Sequence, residues 1–138
     1  MKRNVIAQFD GGGGSDGTKK VYGVVIVDAD TEEKLHVAYG LLPNADTFNV
    51  AEWAAAKTAL GLCWLFRDDI AEVTIQGDSQ VIVYQLTGKY NVNKSDFKPY
   101  YDASKSLEAK LQKAGVVVNY NWVRRDENKE ADELGRLI

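Results

Sequence analysis

The sequence predicts a single α/β domain over residues 1–138, built on a five-stranded mixed sheet flanked by helices. Three observations carry this reading. Short runs rich in β-branched residues, such as Val5-Ile6-Ala7 and Val24-Val25-Ile26-Val27, read as strands. The first three runs are joined by short polar or glycine-rich turns, which makes an antiparallel meander of three strands. The last two are reached through helical stretches, so they and the first strand run parallel, with right-handed crossovers.

Strand one covers residues 4–10, and the glycines Gly11 to Gly14 with Gly17 end it and turn the chain. Residues 21–27 form strand two, residues 28–33 a polar turn, and residues 34–42 strand three. Asp46, Thr47 or Asn49 can cap the next helix, which runs to about Arg67. Strand four, residues 72–77, leads directly into a helix over residues 79–86. A longer helical pattern covers residues 98–114, strand five residues 116–123, and a short helix everything from Asn128 on.

Composition bounds the function. The chain is 45% hydrophobic and 27% charged, within the globular range. It contains no apolar run long enough to span a bilayer. Met1-Lys2-Arg3-Asn4 leads into an apolar stretch broken by Gln8 and Asp10, which is not a signal peptide. The one cysteine, Cys63, excludes an internal disulfide and reads as a small buried hydrophobe. The expectation is a cytoplasmic monomer without a membrane partner. The net charge of −3 is unlike a typical nucleic-acid binder, but residues 88–113 carry six lysines against three acids. That stretch is either a solvated helix face or a basic patch, with Tyr84 just before it and Tyr90, Phe97, Tyr100 and Tyr101 interleaved among its lysines.

Four carboxylates single themselves out. Asp10 ends strand one, and Asp78 ends strand four or follows it. If these strands are parallel neighbours, both carboxylates leave at one sheet edge, at a topological switch point. Each aspartate alone reads equally as a turn residue or a cap. Glu52 shares a helix face with Ala55, Ala56, Ala59 and Cys63, so it belongs to the first turn of the face that presses on the sheet. An ionised carboxylate there needs a partner or a metal ion; an exposed one would simply favour the helix dipole. Asp132 lies in the last helix, beside the face made by Ala131, Leu134, Gly135 and Ile138, and could also face solvent. Converging carboxylates repel, and without His or Cys ligands the natural counter-ion is Mg²⁺ or Mn²⁺.

The segments Phe9-Asp10-Gly11-Gly12, Asn49-Val50-Ala51-Glu52, Gly77-Asp78-Ser79-Gln80 and Glu127 through Leu134 resemble, in order and spacing, the four signature blocks of type 1 ribonuclease H. The chain is similar to members lacking the long basic protrusion. The resemblance implies a ribonuclease H-like fold and an endonuclease that hydrolyses the RNA strand of RNA–DNA hybrids with two Mg²⁺ ions, Mn²⁺ serving as substitute. It implies 5′-phosphate and 3′-hydroxyl ends. It assigns Asp10 to both ions, Glu52 and Asp78 to one, and Asp132 to the other. It also places Asn49 and Gln80 in the hybrid's minor groove, with Gly11 and Gly12 at the substrate.

The sequence departs from the family pattern in three places. The loop after strand one is richer in glycine, so it could hug a backbone closely or be floppy. Phe48 stands where many members carry a second asparagine. The loop before the last helix holds Arg124, Arg125, Asp126 and Glu127 where some members place a histidine. The sole histidine, His36, reads as structural, and Trp53, Trp64 and Trp122 read as core. The fold alone leaves open a non-cleaving hybrid-binding module or another nuclease, such as a junction resolvase.

Overall fold

A computed structural model of the chain describes residues 2–43, 47–92 and 97–137. The elements follow the order β1 (Arg3–Gly12), β2 (Lys20–Asp28), β3 (Lys34–Leu42), α1 (Phe48–Leu65), β4 (Ile70–Gly77), α2 (Gln80–Leu86), α3 (Lys98–Lys113), β5 (Val117–Trp122) and α4 (Lys129–Gly135). The five strands form one sheet in the order β3-β2-β1-β4-β5. β1, β2 and β3 pair antiparallel, whereas β4 runs parallel to β1 and β5 parallel to β4. The expected meander and parallel half are both present.

Alternation along β1 divides the molecule. Val5, Ala7 and Phe9 point to the side of α1 and α3 and join the main core with Trp53, Ala55, Ala59, Val73, Ile75 and Leu111. Residues of opposite parity face α4, which lies against β1 and β2 on the other side of the sheet. α1 begins where Thr47 accepts a hydrogen bond from the Val50 N–H at 3.2 Å; of the three proposed caps Thr47 holds the position, and Asp46 lies outside the described residues. The alanines Ala51, Ala55, Ala56 and Ala59 are fully buried and let this helix lie close on the sheet.

One expected boundary moves. β1 does not stop at Asp10 but continues through Gly11 and Gly12, which pair with Tyr22 and Val21 of β2. The hairpin neighbour supplies the ladder that the glycines alone do not specify. Cys63 is fully buried, and burial pushes its thiol up to about 12, so it is inert. His36 stacks flat on Phe66, with ring centroids 3.5 Å apart. It pairs with Ile26, which pairs with Ala7, so it sits three residues back from Asp10 along the sheet and two strands away. His36→Ala should therefore cost only the stacking contact, about 0.5–1.5 kcal/mol. Melting temperature and cleavage rate check this; a sharp loss of turnover in a folded variant would contradict it.

Candidate active site

Three strands set the site in register. Phe9 pairs with Gly77, and Gly77 pairs with Trp122. The residues after the first two are Asp10 and Asp78, so parallel pairing places these aspartates side by side. Gly77 is required here: a Cβ at this position would lie 2.4 Å from the Phe9 ring. α1 then brings Glu52. A Cβ on Gly11 would lie 2.4 Å from the Glu52 backbone nitrogen, so the helix backbone rests directly on β1 at this point. Glu52 lies in the second turn of α1, not the first, because the helix starts at Phe48. The helix dipole therefore gives no reason for a carboxylate here.

One oxygen from each of Asp10, Glu52 and Asp78 lies within 4.8 Å of the others. Burial, and then the negative charge of Asp78, raises Asp10 to about 8. Burial, and then Asp10 and Asp78, raises Glu52 to about 9, against a hydrogen bond from the Gly11 backbone N–H. Asp78 is raised too, chiefly by burial, while Arg125 opposes the shift. Glu52 Oε2 is buried and has no hydrogen-bond partner among the described residues. An orphaned oxygen within an all-carboxylate donor set is the chemistry that suits a hard divalent cation. The residues present fit such an ion.

Asp132 stands apart from this triad but close enough to Asp10 to raise its pKa. Arg125 and Arg136 hold its carboxylate at 3.4 and 3.1 Å. Two open depressions meet at Asp10. One, of about 630 Å³, is lined by Glu52, Asp78, Asn49, Phe48 and Trp122. The other, of about 310 Å³, runs past Asp132 along the glycine loop from Gly12 to Gly14. Asn49 thus lies on the wall of the carboxylate cleft. Gln80 is exposed at the start of α2, two residues past Asp78.

Two residues here escape a reading of the sequence. Trp122 is not core: it is 38% exposed, and its indole N–H donates to the Asp78 carbonyl at 3.1 Å. It sits at the end of an edge strand, where hydrophobicity alone misplaces it. Trp53 is buried, and Trp64 is half-buried with Arg67 over its ring. Asn128, before α4, is fully buried and donates to the Phe9 carbonyl at 2.9 Å. Its sequence signal is confined to its place in the last signature block. In the lysine-rich stretch, Lys89 lies over Tyr84, Tyr90 is 41% exposed and Phe97 is buried; Lys94 and Asp96 fall outside the described residues.

The raised pKa values set the pH dependence of the metal-free protein. In the unfolded chain these carboxyls titrate at about 4. Between there and about 9 the native state holds more protons than the unfolded one, so stability falls as pH rises. The melting temperature in chelator should therefore drop from about pH 5 to pH 9. Asp78→Asn removes a charge beside Asp10 and should raise it at the alkaline end, with Mg²⁺ narrowing the gap by stabilising the wild type. A variant that melts below wild type in chelator would contradict a crowded site.

Residues 8–137 match the reverse transcriptase-like family model. The bifunctional protein Rv2228c of Mycobacterium tuberculosis is 28% identical over 130 residues, which is 94% of this chain and 34% of that protein. The chain thus spans about a third of the length of the curated relatives it matches. Among solved structures, the N-terminal RNase H domain of Rv2228c superposes with a TM-score of 0.82 at 28% identity, covering 97% of this chain and 91% of that one. RNase H1 from the archaeon Halobacterium salinarum gives 0.78 at 28%, covering 95% and 93%. LC11-RNase H1 in complex with an RNA/DNA hybrid gives 0.79 at 28%, covering 94% and 92%. Sheet order and these likenesses agree: the chain belongs to the reverse transcriptase-like family and has the type 1 ribonuclease H fold.

Proposed function

We propose that this chain is a ribonuclease H that hydrolyses the RNA strand of RNA–DNA hybrids and leaves 5′-phosphate and 3′-hydroxyl ends. The observation that carries this is the convergence of Asp10 in β1, Glu52 in α1 and Asp78 just past β4, with one buried oxygen that has no partner among the described residues. The hybrid-bound relative supports the substrate class. Asp10 would hold both of two cations, with Glu52 and Asp78 holding one and Asp132 the other. Two Mg²⁺ ions, or Mn²⁺ in their place, would supply the positive charge that a phosphoryl-transfer transition state needs. Asn49 and Gln80 contact the minor groove, Gly11 and Gly12 let the backbone approach the substrate, and Glu52 reaches a ribose 2′-hydroxyl. Asp132 stabilises the protonated form of Arg125, which cannot exchange a proton near neutrality, and water is assigned the proton of the leaving 3′-oxygen.

The test is to incubate labelled RNA–DNA hybrid, double-stranded RNA and branched DNA with the protein in Mg²⁺, Mn²⁺ or chelator. Metal-dependent cutting of the hybrid's RNA strand alone is expected. Binding without cutting would favour a hybrid-holding module, and cutting of branched DNA a resolvase-like enzyme. Asn49→Ala and Gln80→Ala should each lower kcat/KM on hybrid between a few-fold and about tenfold, since a neutral hydrogen bond is worth about 0.5–1.5 kcal/mol. Unchanged kinetics in both would mean that these side chains only cap or pack.

A further inference from the structure

Asp132 is carried by a weak element. α4 has seven residues and no side-chain cap at its start, too short to be stable alone. The arginines that hold its carboxylate are exposed, with Arg125 at 72% and Arg136 at 64%, and such pairs fix a geometry poorly. Something else must set where Asp132 stands relative to Asp10.

Asn128 makes two hydrogen bonds in opposite directions. Its side-chain Nδ2 donates to the carbonyl of Phe9, the residue immediately before Asp10. Its own carbonyl accepts the N–H of Asp132 at 3.4 Å, in the first turn of α4. The residue is 0% exposed, although Glu127 and Lys129 on either side are exposed. Its Oδ1 is buried with no hydrogen-bond partner among the described residues. A half-satisfied buried amide costs stability relative to an apolar side chain of the same shape. Packing alone therefore does not account for asparagine at this position; the directed bond to Phe9 does.

We propose that Asn128 is a positioning residue whose amide fixes α4 on β1 so that Asp132 stands beside Asp10 at the separation a second cation requires. This rests on the reading of Asp132 as a metal ligand. Asn128 does not itself touch the cation or the substrate; it acts through Asp132.

The experiment is Mn²⁺ binding by calorimetry on the full chain, freed of metal and without nucleic acid. Asn128→Leu keeps the volume and removes the donor. Asn128→Ala gives the same reading if leucine prevents folding, which circular dichroism checks. Asp132→Asn should remove one component of the wild-type isotherm. Asn128→Leu should weaken that component about tenfold or more, the usual consequence of losing an outer support. The double variant should bind no worse than Asp132→Asn alone. A purely space-filling role predicts a wild-type isotherm for Asn128→Leu, and that result would overturn the proposal while leaving the proposed function intact. Full additivity of the two substitutions would overturn it as well. If Asp132→Asn changes nothing, the ligand role of Asp132 fails, and the positioning role with it.

Discussion

Asp10→Asn is expected to lower hybrid cleavage at least about a thousandfold while the fold survives. Asp10 is the carboxylate on which both cation positions depend in the proposed mechanism. Losing several kcal/mol of transition-state charge stabilisation corresponds to that factor, at about 1.4 kcal/mol per tenfold. Asparagine fills the same volume, and in the metal-free protein it removes a buried carboxyl that is already raised to about 8 by burial and by Asp78. Circular dichroism should be unchanged, and the melting temperature in chelator at pH 8 should be equal or higher. Retention of even a tenth of the wild-type rate would remove Asp10 from the centre of the reaction.

Gly11→Ala should have the next largest effect, and it acts on structure and chemistry together. The added Cβ would lie 2.4 to 2.8 Å from the backbone of Glu52 and Ala51, atoms that cannot turn aside. Forcing a methyl group into a packed contact costs about 1–3 kcal/mol, which should appear as a melting temperature several degrees lower. The only relief is for α1 to move off β1, carrying Glu52 with it. A displacement of about 1 Å at a reacting centre can cost about a hundredfold in rate. Gly12→Ala is the control. Nothing among the described residues lies within 4 Å of its Cβ position, so stability should change by no more than about 0.5 kcal/mol. Equal melting temperatures of the two variants would show that the helix–strand contact at Gly11 is not tightly packed.

The difference between these glycines marks where the sequence stops being informative. The meander, the parallel half of the sheet and the position of Asp10 and Asp78 at strand ends follow from local runs and connection lengths; that β4 rather than β5 pairs with β1 does not. Gly11 and Gly12 read alike in sequence, as the start of a turn. Only the folded chain distinguishes them, because Gly11 meets α1 and Gly12 meets open space. The extension of β1 past Asp10 was hidden for a related reason: its support comes from Tyr22 and Val21 across the hairpin. Glu52 was legible as an inward carboxylate from its alanine neighbours, but its turn number depended on which residue caps the helix, and Thr47 does. Trp122 reads as core in sequence because apolar character does not reveal which strand lies at the sheet's edge. Asn128 could not be singled out by local reasoning, since its partner Phe9 is 119 residues away.

That same span has a consequence in time. The meander of β1, β2 and β3 joins near neighbours in the chain and closes short loops. The pairings of β1 with β4 and of β4 with β5 join distant segments, and α4 returns to β1 last in chain order. Contacts between distant segments form more slowly than local ones, since the entropy of loop closure must be met first. Asp10 thus belongs to the part of the sheet able to form early, whereas Asp78 and Asp132 arrive with the late elements. During refolding, the capacity to bind divalent cations should lag behind the appearance of β-structure, and nuclease competence should be acquired only with the final docking step.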